Sequence, residues 1–116
     1  MVSSFEGRFR ARNRLKCPKD FKLVFASKHR SSDKLFLFLA RENNLNQARL
    51  GLVVPKKYVS RSVDRNKLKR IVRESFRFKQ KQLEGMDVVV LVKNKINCKN
   101  RPTALELVKH WNKISK

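Results

Sequence analysis

Three short apolar runs restrict the fold of this 116-residue chain more than any other feature of its sequence. They read LFLFLA at 35–40, LGLVV at 50–54 and VVVLV at 88–92. Each is far shorter than the roughly 18 apolar residues of a membrane-spanning helix. Short runs rich in β-branched and aromatic residues predict buried strands. Pro55 ends the second run, because proline cannot donate a hydrogen bond to a neighbouring strand. Other parts of the chain must therefore cover a sheet.

Segments with helical periodicity supply that cover. Pro18 suits the first turn of a helix, where its missing N–H has no partner in any case. Phe21, Val24 and Phe25 follow at helical spacing and predict a short amphipathic helix near 18–28. Residues 41–47 are polar and rich in asparagine, which is typical of a loop. The sequence permits, without requiring, a further short strand within residues 29–34.

A second helix is predicted from about Ser62 to residue 84, with Ser60 or Ser62 as its N-cap and Gly85 just beyond its end. One face of this helix carries Leu68, Ile71, Val72, Ser75, Phe76 and Lys79. A last helix is predicted after Pro102, with one side formed by Ala104, Leu107, Val108, Trp111 and Ile114. The order helix, strands, helix, strand, helix predicts one domain in which helices pack on a sheet.

The charge of the chain indicates its class of partner. Thirty Lys and Arg against nine Asp and Glu give a net charge of +21. Such a surplus repels itself in a compact protein, so it is tolerated mainly where a polyanion neutralises it. Nucleic acid fits this requirement best, and an anionic membrane surface fits less well, because the predicted helices are not built to lie in an interface. The N-terminal segment lacks the apolar core of a secretory signal, so we expect a cytoplasmic protein.

The basic residues concentrate between positions 56 and 81, which hold eleven Lys or Arg and only two acidic residues, Asp64 and Glu74. At roughly 100° per residue, the second helix places Arg70, Arg73, Arg77 and Asn66 opposite its apolar face, with Arg65 and Lys69 on a flank. Arginine matches phosphate geometry with two parallel hydrogen bonds, and asparagine can bond a base edge or a ribose hydroxyl. This helix is therefore predicted to bind RNA. A solvated helix face with a basic bias is the alternative.

Phe21 and Phe25 have two interpretations. Helical aromatic residues usually belong to the core, but rings exposed in a groove would stack on unpaired nucleotides. The sequence leaves both interpretations open.

No set of residues suggests that the chain cleaves RNA unaided. The nine acidic residues are scattered and do not form the clustered carboxylates that hold paired metal ions. His29 and His110 could in principle act as acid and base, but they are far apart in the sequence. Cys17 and Cys98 do not form the closely spaced pair of a zinc motif, so we interpret them as free thiols in a reducing cytosol.

The stretch RLGLVVPKKYVSRSVDRNKLKRIVRESFR at 49–77 resembles the signature region of the bacterial ribonuclease P protein family. That region combines a strand ending in two lysines with a helix that opens Arg-Asn-Arg-x-x-(Lys/Arg)-Arg-x-x-Arg. The matching residues here are Lys56, Lys57, Arg65, Asn66, Lys67, Lys69, Arg70 and Arg73. Lys67 departs from the usual second arginine, which keeps the charge but loses the bidentate geometry. The segments 14–25, 86–93 and 105–111 also resemble this family.

The resemblance implies an α+β fold in a single α-β-β-β-α-β-α domain over residues 12–116, after a flexible basic arm at 1–11. The implied sheet is ribosomal-protein-like, four-stranded and mostly antiparallel, with a left-handed βαβ crossover. The implied activity is endonucleolytic removal of 5′ leaders from precursor tRNA. The catalytic groups and the bound Mg²⁺ would belong to a large RNA subunit, so the chain itself would carry no catalytic residue and no metal.

The resemblance also assigns roles to residues and partners. The expected RNA-subunit-binding residues are Lys56, Lys57, Arg61, Arg65, Asn66, Lys67, Lys69, Arg70, Arg73 and Arg77. The expected leader-binding residues are Arg14, Phe21, Lys22 and Phe25. The expected partners are the RNA subunit and precursor tRNA, with no membrane and no obligate protein partner. A ribosomal protein, a DNA-binding module and an independent nuclease are the alternatives, in that order.

Overall fold

The computed structural model describes residues 15, 18–27, 29–96, 102 and 104–115. In this part of the chain the elements are α1 (Pro18–Phe25), β1 (His29–Ser32), β2 (Phe36–Glu42), β3 (Arg49–Val53), α2 (Ser62–Phe78), β4 (Met86–Val92) and α3 (Ala104–Ile114). No helix within these ranges is both long and apolar enough to span a bilayer. The predicted arm at 1–11 lies outside the described residues.

The four strands form one mixed sheet in the order β1-β2-β4-β3. The pairs β1–β2 and β2–β4 are antiparallel, and β3–β4 is parallel, with α2 as the connection between its two strands. The predicted α+β class, element order and mostly antiparallel character are confirmed. The left-handed crossover stays a prediction.

The larger core lies between one face of this sheet and the helices α2 and α3. Side chains alternate along the strands, so Phe36, Phe38 and Ala40 point to this core while their neighbours point to the other face. Leu68, Val72 and Phe76 of α2 and Leu107, Trp111 and Ile114 of α3 are buried against them. The indole Nε1–H of Trp111 donates to the hydroxyl of Ser75 at 2.7 Å. The predicted inner faces are therefore confirmed at these six residues, while Ile71 and Val108 are only half-buried and Lys79 lies beyond the end of α2.

A smaller core lies on the opposite face of the sheet. Leu15, Val24, Leu39 and Val89 are buried there, and Phe21 is half-buried beside them. The short helix α1 provides the cover on this side. The sheet is therefore fully packed on one face and only partly covered on the other.

Two strands extend into polar residues that the sequence did not assign to the sheet, because these residues pair with a neighbouring strand. Arg41 and Glu42, predicted to lie in a loop, continue β2 because they pair with Asp87 and Met86. The optional strand within 29–34 exists as β1, which is held by four registered pairs with β2. Tertiary pairing thus overrides a weak local preference.

The predicted start of α2 near Ser62 is confirmed, but its predicted N-cap and its predicted end are wrong. The N-cap is Arg61, which makes no side-chain capping bond, so neither Ser60 nor Ser62 caps the helix. The helix ends at Phe78, and residues 79–85 form turns. Gly85 has φ 82°, but it serves the start of β4 instead of a helix end. Its N–H donates to the carbonyl of Gln47 at 3.3 Å, so contact with the β2–β3 connection sets the position of this turn.

Candidate nucleic-acid interface

The ten predicted RNA-subunit-binding residues surround α2 and the loop before it. Lys56, Lys57, Arg61, Asn66, Lys67 and Arg70 are exposed, while Arg65, Lys69, Arg73 and Arg77 are half-buried. Asp64 lies 3.9 Å from Arg61, and Glu74 lies 3.2 Å from Arg77. Within the described residues, no ion pair joins Lys69 or Arg70 to an acidic side chain. The surface is therefore strongly positive.

The structure places eight of these ten residues in two groups. Lys57, Arg61 and Lys67 line an open cleft of about 600 Å³ together with Tyr58 and Lys95. The ammonium of Lys57 lies 4.9 Å from the centre of the Tyr58 ring. Sequence reasoning missed Tyr58 and Lys95. Lys95 was missed because it follows β4 and lies outside the basic cluster of the sequence.

The second group forms a stripe along α2. Asn66, Arg70, Arg73 and Arg77 are spaced three or four residues apart, so they lie side by side on the helix surface, and Lys69 flanks them. The stripe and the cleft flank the same helix. Both could therefore contact one extended polyanion.

Arg65 uses part of its guanidinium inside the protein. Its Nη1 donates to the carbonyls of Val59 at 3.1 Å and Ser60 at 2.8 Å. These bonds brace the loop that carries Lys57 and Arg61. Arg65 therefore organises the basic surface, besides adding its charge to it.

The other face of the sheet presents three rows of side chains that run across the strands. The registers place Arg41, Asp87 and Arg49 in the first row, Arg30, Leu39, Val89 and Gly51 in the second, and Ser32, Leu37, Leu91 and Val53 in the third. Helix α1 packs against the second row. In the third row, Leu37, Leu91 and Val53 are only half-buried and form an open apolar floor beside the helix. Lys56 follows β3 at the end of the sheet where this floor lies.

The two aromatic residues of α1 have different environments. A Cβ atom at Gly51 would lie 2.6 Å from Cζ of Phe21, so the Phe21 ring rests directly on the glycine backbone. Phe21 is thus half-buried and belongs partly to the small core. Phe25 is 39% exposed at the end of the helix, and the neighbouring Lys22 is exposed. Arg14, the remaining predicted leader-binding residue, lies outside the described residues.

A buried ion pair connects α1 to the sheet, and sequence reasoning did not find it. Asp87 is 2% exposed, and its two carboxylate oxygens each accept a 2.7 Å hydrogen bond from Arg49. Asn43 donates to the same carboxylate at 2.9 Å. Asp20 of α1 lies 3.4 Å from Arg49. This network helps to fix α1 over the sheet.

The two histidines do not form a catalytic pair. His29 is exposed on β1, whereas His110 of α3 is buried between Ser31 Oγ at 2.6 Å and Asp33 Oδ2 at 2.7 Å. The His110 ring also stacks on Phe38 with a centroid distance of 4.3 Å. His110 therefore joins α3 to β1 and to the turn after it. Within the described ranges, no group of three or more His, Cys, Asp or Glu could hold a metal ion. Cys17 and Cys98 lie outside those ranges.

The Asp33 carboxyl has a perturbed pKa. Burial raises the pKa, but hydrogen bonds from His110 and from the backbone N–H groups of Phe36 and Leu35 outweigh burial. The net result is a pKa below the ordinary value of 3.8. Asp33 is thus held as a carboxylate that stabilises the contact between α3 and the sheet.

Comparison with known proteins identifies the family. The sequence profile of the family described as Ribonuclease P matches residues 9–115. The chain belongs to the ribonuclease P protein family. It is 47% identical to the ribonuclease P protein component of Aliivibrio fischeri over 104 residues, which cover 89% of each chain. It is 52% identical to the corresponding protein of Nitrosococcus oceani over 84 residues, which cover 72% of this chain and 71% of that one.

The fold agrees with solved structures of ribonuclease P proteins. The Thermotoga maritima protein in complex with 1-(4-fluorophenyl)-2-thiourea aligns with a TM-score of 0.67 at 32% identity, over 89% of this chain and 97% of that one. As a ribonuclease P protein component, the chain acts with an RNA subunit in the 5′ processing of tRNA. The endoribonuclease is thus a ribonucleoprotein in which the RNA carries catalysis. The residue roles remain to be assigned from the geometry.

Proposed function

We propose that the chain binds two RNAs through opposite faces of its sheet. The basic surface of α2 and its preceding loop binds the RNA subunit of ribonuclease P. The partly covered face beside α1 binds the single-stranded 5′ leader of precursor tRNA. The exposed cations around α2 carry the proposal, because only Asp64 and Glu74 offset eleven basic residues in that segment.

The RNA-subunit surface supports phosphate binding in two ways. Arg70 and Lys69 present charge along the stripe without an acidic partner in the described part of the chain. Lys57, Arg61 and Lys67 surround an open cleft of about 600 Å³, where they can contact phosphates. Asn66 adds an exposed amide that can bond a ribose hydroxyl or a base edge. The surface therefore combines charge with groups that distinguish RNA from a simple polyanion.

The leader surface combines an apolar floor with cations. The third row of the sheet offers half-buried aliphatic side chains, and α1 offers the exposed Phe25 ring and Lys22. Bases stack on aromatic rings whatever their sequence, which suits leaders of varied sequence. Lys56 and Arg30 lie at the margins, where they can meet phosphates. Binding here would favour precursor over mature tRNA, which lacks the leader.

Mg²⁺ ions held by the RNA subunit supply the chemistry of cleavage in this proposal. The protein neutralises phosphates and so lowers the Mg²⁺ concentration that the folded RNA requires. The proposed site of action is the cytoplasm, where precursor tRNA is made.

Mutation of Arg70 tests the RNA-subunit surface. Arg70→Ala should weaken binding to a bacterial ribonuclease P RNA and lower the slope of log K against log salt by about one, the effect of a lost phosphate contact. Arg41→Ala is the matched control. Arg41 is exposed on β2, away from α2, and its replacement removes the same charge. Equal slopes for the two variants would refute the assignment of α2 to the RNA subunit.

Mutation of Phe25 tests the leader surface. Phe25→Ala should reduce the preference for precursor over mature tRNA by about five-fold or more, because one base–aromatic stack contributes at least ~1 kcal/mol. Leu23→Ala is the control, because Leu23 is 45% exposed on the opposite side of the same helix. Phe21→Ala is a poorer test, since its ring packs on Gly51. An unchanged preference in a folded Phe25 variant would remove this ring from the leader site.

The assembled enzyme tests the proposal as a whole. Cleavage of a precursor tRNA by the RNA at low Mg²⁺, with and without the protein, should show 5′ leader removal only when both are present. Unchanged cleavage alongside tight RNA binding would contradict the proposed role.

A further inference from the structure

An apolar groove lies between α2 and α3, along the C-terminal half of α2. Its apolar lining residues are Ile71, Phe78, Leu107 and Val108, and its volume is about 380 Å³. Phe78 is 73% exposed, which is the largest exposed fraction among the large apolar side chains of the described residues. A phenyl ring this exposed gains little from burial in the folded chain, so its face is available to a partner.

Charged side chains surround this ring. Arg70, Glu74 and Phe78 are spaced four residues apart and form one row along α2. The guanidinium carbon of Arg77 lies 4.8 Å from the centre of the Phe78 ring. Glu74 pairs with Arg77, so Arg70 and Lys79 leave the margin of the groove positive.

We propose that Phe78 is a stacking platform for an unpaired nucleotide of the RNA subunit. The base would stack on the ring face that Arg77 does not cover, and the phosphate would meet Arg70 or Lys79. This inference rests on the proposed function of α2, because it extends the same RNA surface by one base-binding site.

The position of the groove selects the RNA subunit over the leader as the source of this nucleotide. The groove lies on the sheet face that α2 and α3 cover, whereas α1 and the open apolar floor lie on the other face. Arg70 and Arg77 belong to both the basic stripe and the margin of the groove. An RNA bound along the stripe therefore passes beside Phe78.

Charge selects RNA over a second copy of this chain. A second copy of this chain would bring another +21 charge to a positive surface. An unpaired nucleotide supplies both an apolar ring face and a negative phosphate, which matches the ring and the basic margin together. The groove is therefore best matched by RNA.

Substitution of Phe78 in the full-length chain tests the inference. Phe78→Ala should weaken binding to a bacterial ribonuclease P RNA by about 5- to 150-fold, the range for loss of one base–aromatic stack. The slope of log K against log salt should stay unchanged, because stacking releases no counterions. Phe78→Trp should retain affinity, and Leu45→Ala, which removes a 42% exposed apolar side chain from a loop outside the groove, should have no effect.

Phe78→Leu separates stacking from simple apolar docking. Leucine keeps most of the apolar volume but has no π-face, so it should lose affinity nearly as alanine does. Full affinity in Phe78→Leu would overturn the stacking proposal, because an apolar contact without a π-face would then be sufficient for RNA binding. Thermal unfolding of each variant should match the parent chain, because the ring is mostly exposed.

The outcome for Arg70 distinguishes failure of this inference from failure of the proposed function. A lower salt slope in Arg70→Ala with unchanged affinity in Phe78→Ala would retain the basic stripe and refute the stacking site. Unchanged affinity in both variants would refute the RNA surface of α2 itself. A loss of preference for precursor tRNA in Phe78→Ala, without weaker binding to the RNA subunit, would assign the nucleotide to the leader and also overturn the proposal.

Discussion

Replacement of Gly51 by alanine should move the ring of Phe21. An added Cβ would lie 2.6 and 2.7 Å from two atoms of that ring, whereas carbon atoms pack best at roughly 3.5–4.0 Å. The ring or α1 must therefore retreat by about 1 Å. Overpacking of this kind costs about 1–3 kcal/mol, and relief of the unfavourable glycine in a strand returns about 0.5–1 kcal/mol. We expect a net loss of roughly 1 kcal/mol in the free energy of unfolding.

Gly51→Ala should change the free energy of unfolding in the opposite direction when Phe21 is already alanine. Without the ring, the nearest neighbour of the new methyl group is the Leu15 Cβ at 3.3 Å, and the strand loses its glycine. Gly51→Ala should then stabilise the chain by up to about 0.5–1 kcal/mol. Urea unfolding of the parent, both single variants and the double variant gives the coupling energy, provided that the m-values agree. Effects that add within about 0.5 kcal/mol would refute the claim that the Phe21 ring requires glycine at this position.

Two further predictions concern the buried charges. Arg49→Ala should cost about 3 kcal/mol in urea unfolding, because it leaves the buried Asp87 carboxylate without its bidentate partner, whereas Arg41→Ala in the same row should cost little. The pKa of Asp33 is lower in the folded chain than in the unfolded chain. The Asp33 carboxylate therefore stabilises the fold at pH values above its unfolded-state pKa. This stabilisation is lost as the pH falls through the folded-state pKa. Between pH 5 and pH 3 the free energy of unfolding should therefore fall less in Asp33→Asn than in the parent chain. Parallel plots of unfolding free energy against pH would contradict a stabilising role for the Asp33 carboxylate.

The sequence was sufficient wherever structure depends on local pattern. The VVVLV run became β4, and the periodicity of Leu68, Val72 and Phe76 identified the inner face of α2. The basic stripe followed from the same periodicity, because residues opposite a buried face must point outward. These features involve neighbours within two helical turns or one strand.

The sequence was insufficient wherever a feature depends on distant residues. The polar segment HRSS forms β1 because it pairs with β2 and because Ser31 meets His110, 79 positions later. Helix α2 ends at Phe78, and the turns at 79–85 that follow it contact the distant Gln47 through Gly85. The Phe21 ring could not be assigned to the core without the glycine beneath it, and Lys95 reaches the basic cleft only through the sheet. None of these contacts has a local pattern.

The two edge strands of the sheet, β1 and β3, affect whether free molecules of this chain associate with one another. Unpaired strand edges invite pairing between molecules, and proteins usually cover or shorten them. Here β1 is only four residues long and polar, and the N–H of Leu15 donates to the carbonyl of Leu50 at 2.9 Å along the outer edge of β3. Together with mutual repulsion of the basic surfaces, these edges keep newly made molecules apart. A chain shortened beyond Leu15 would expose β3, and its first failure should be self-association through that strand, with the domain itself still folded.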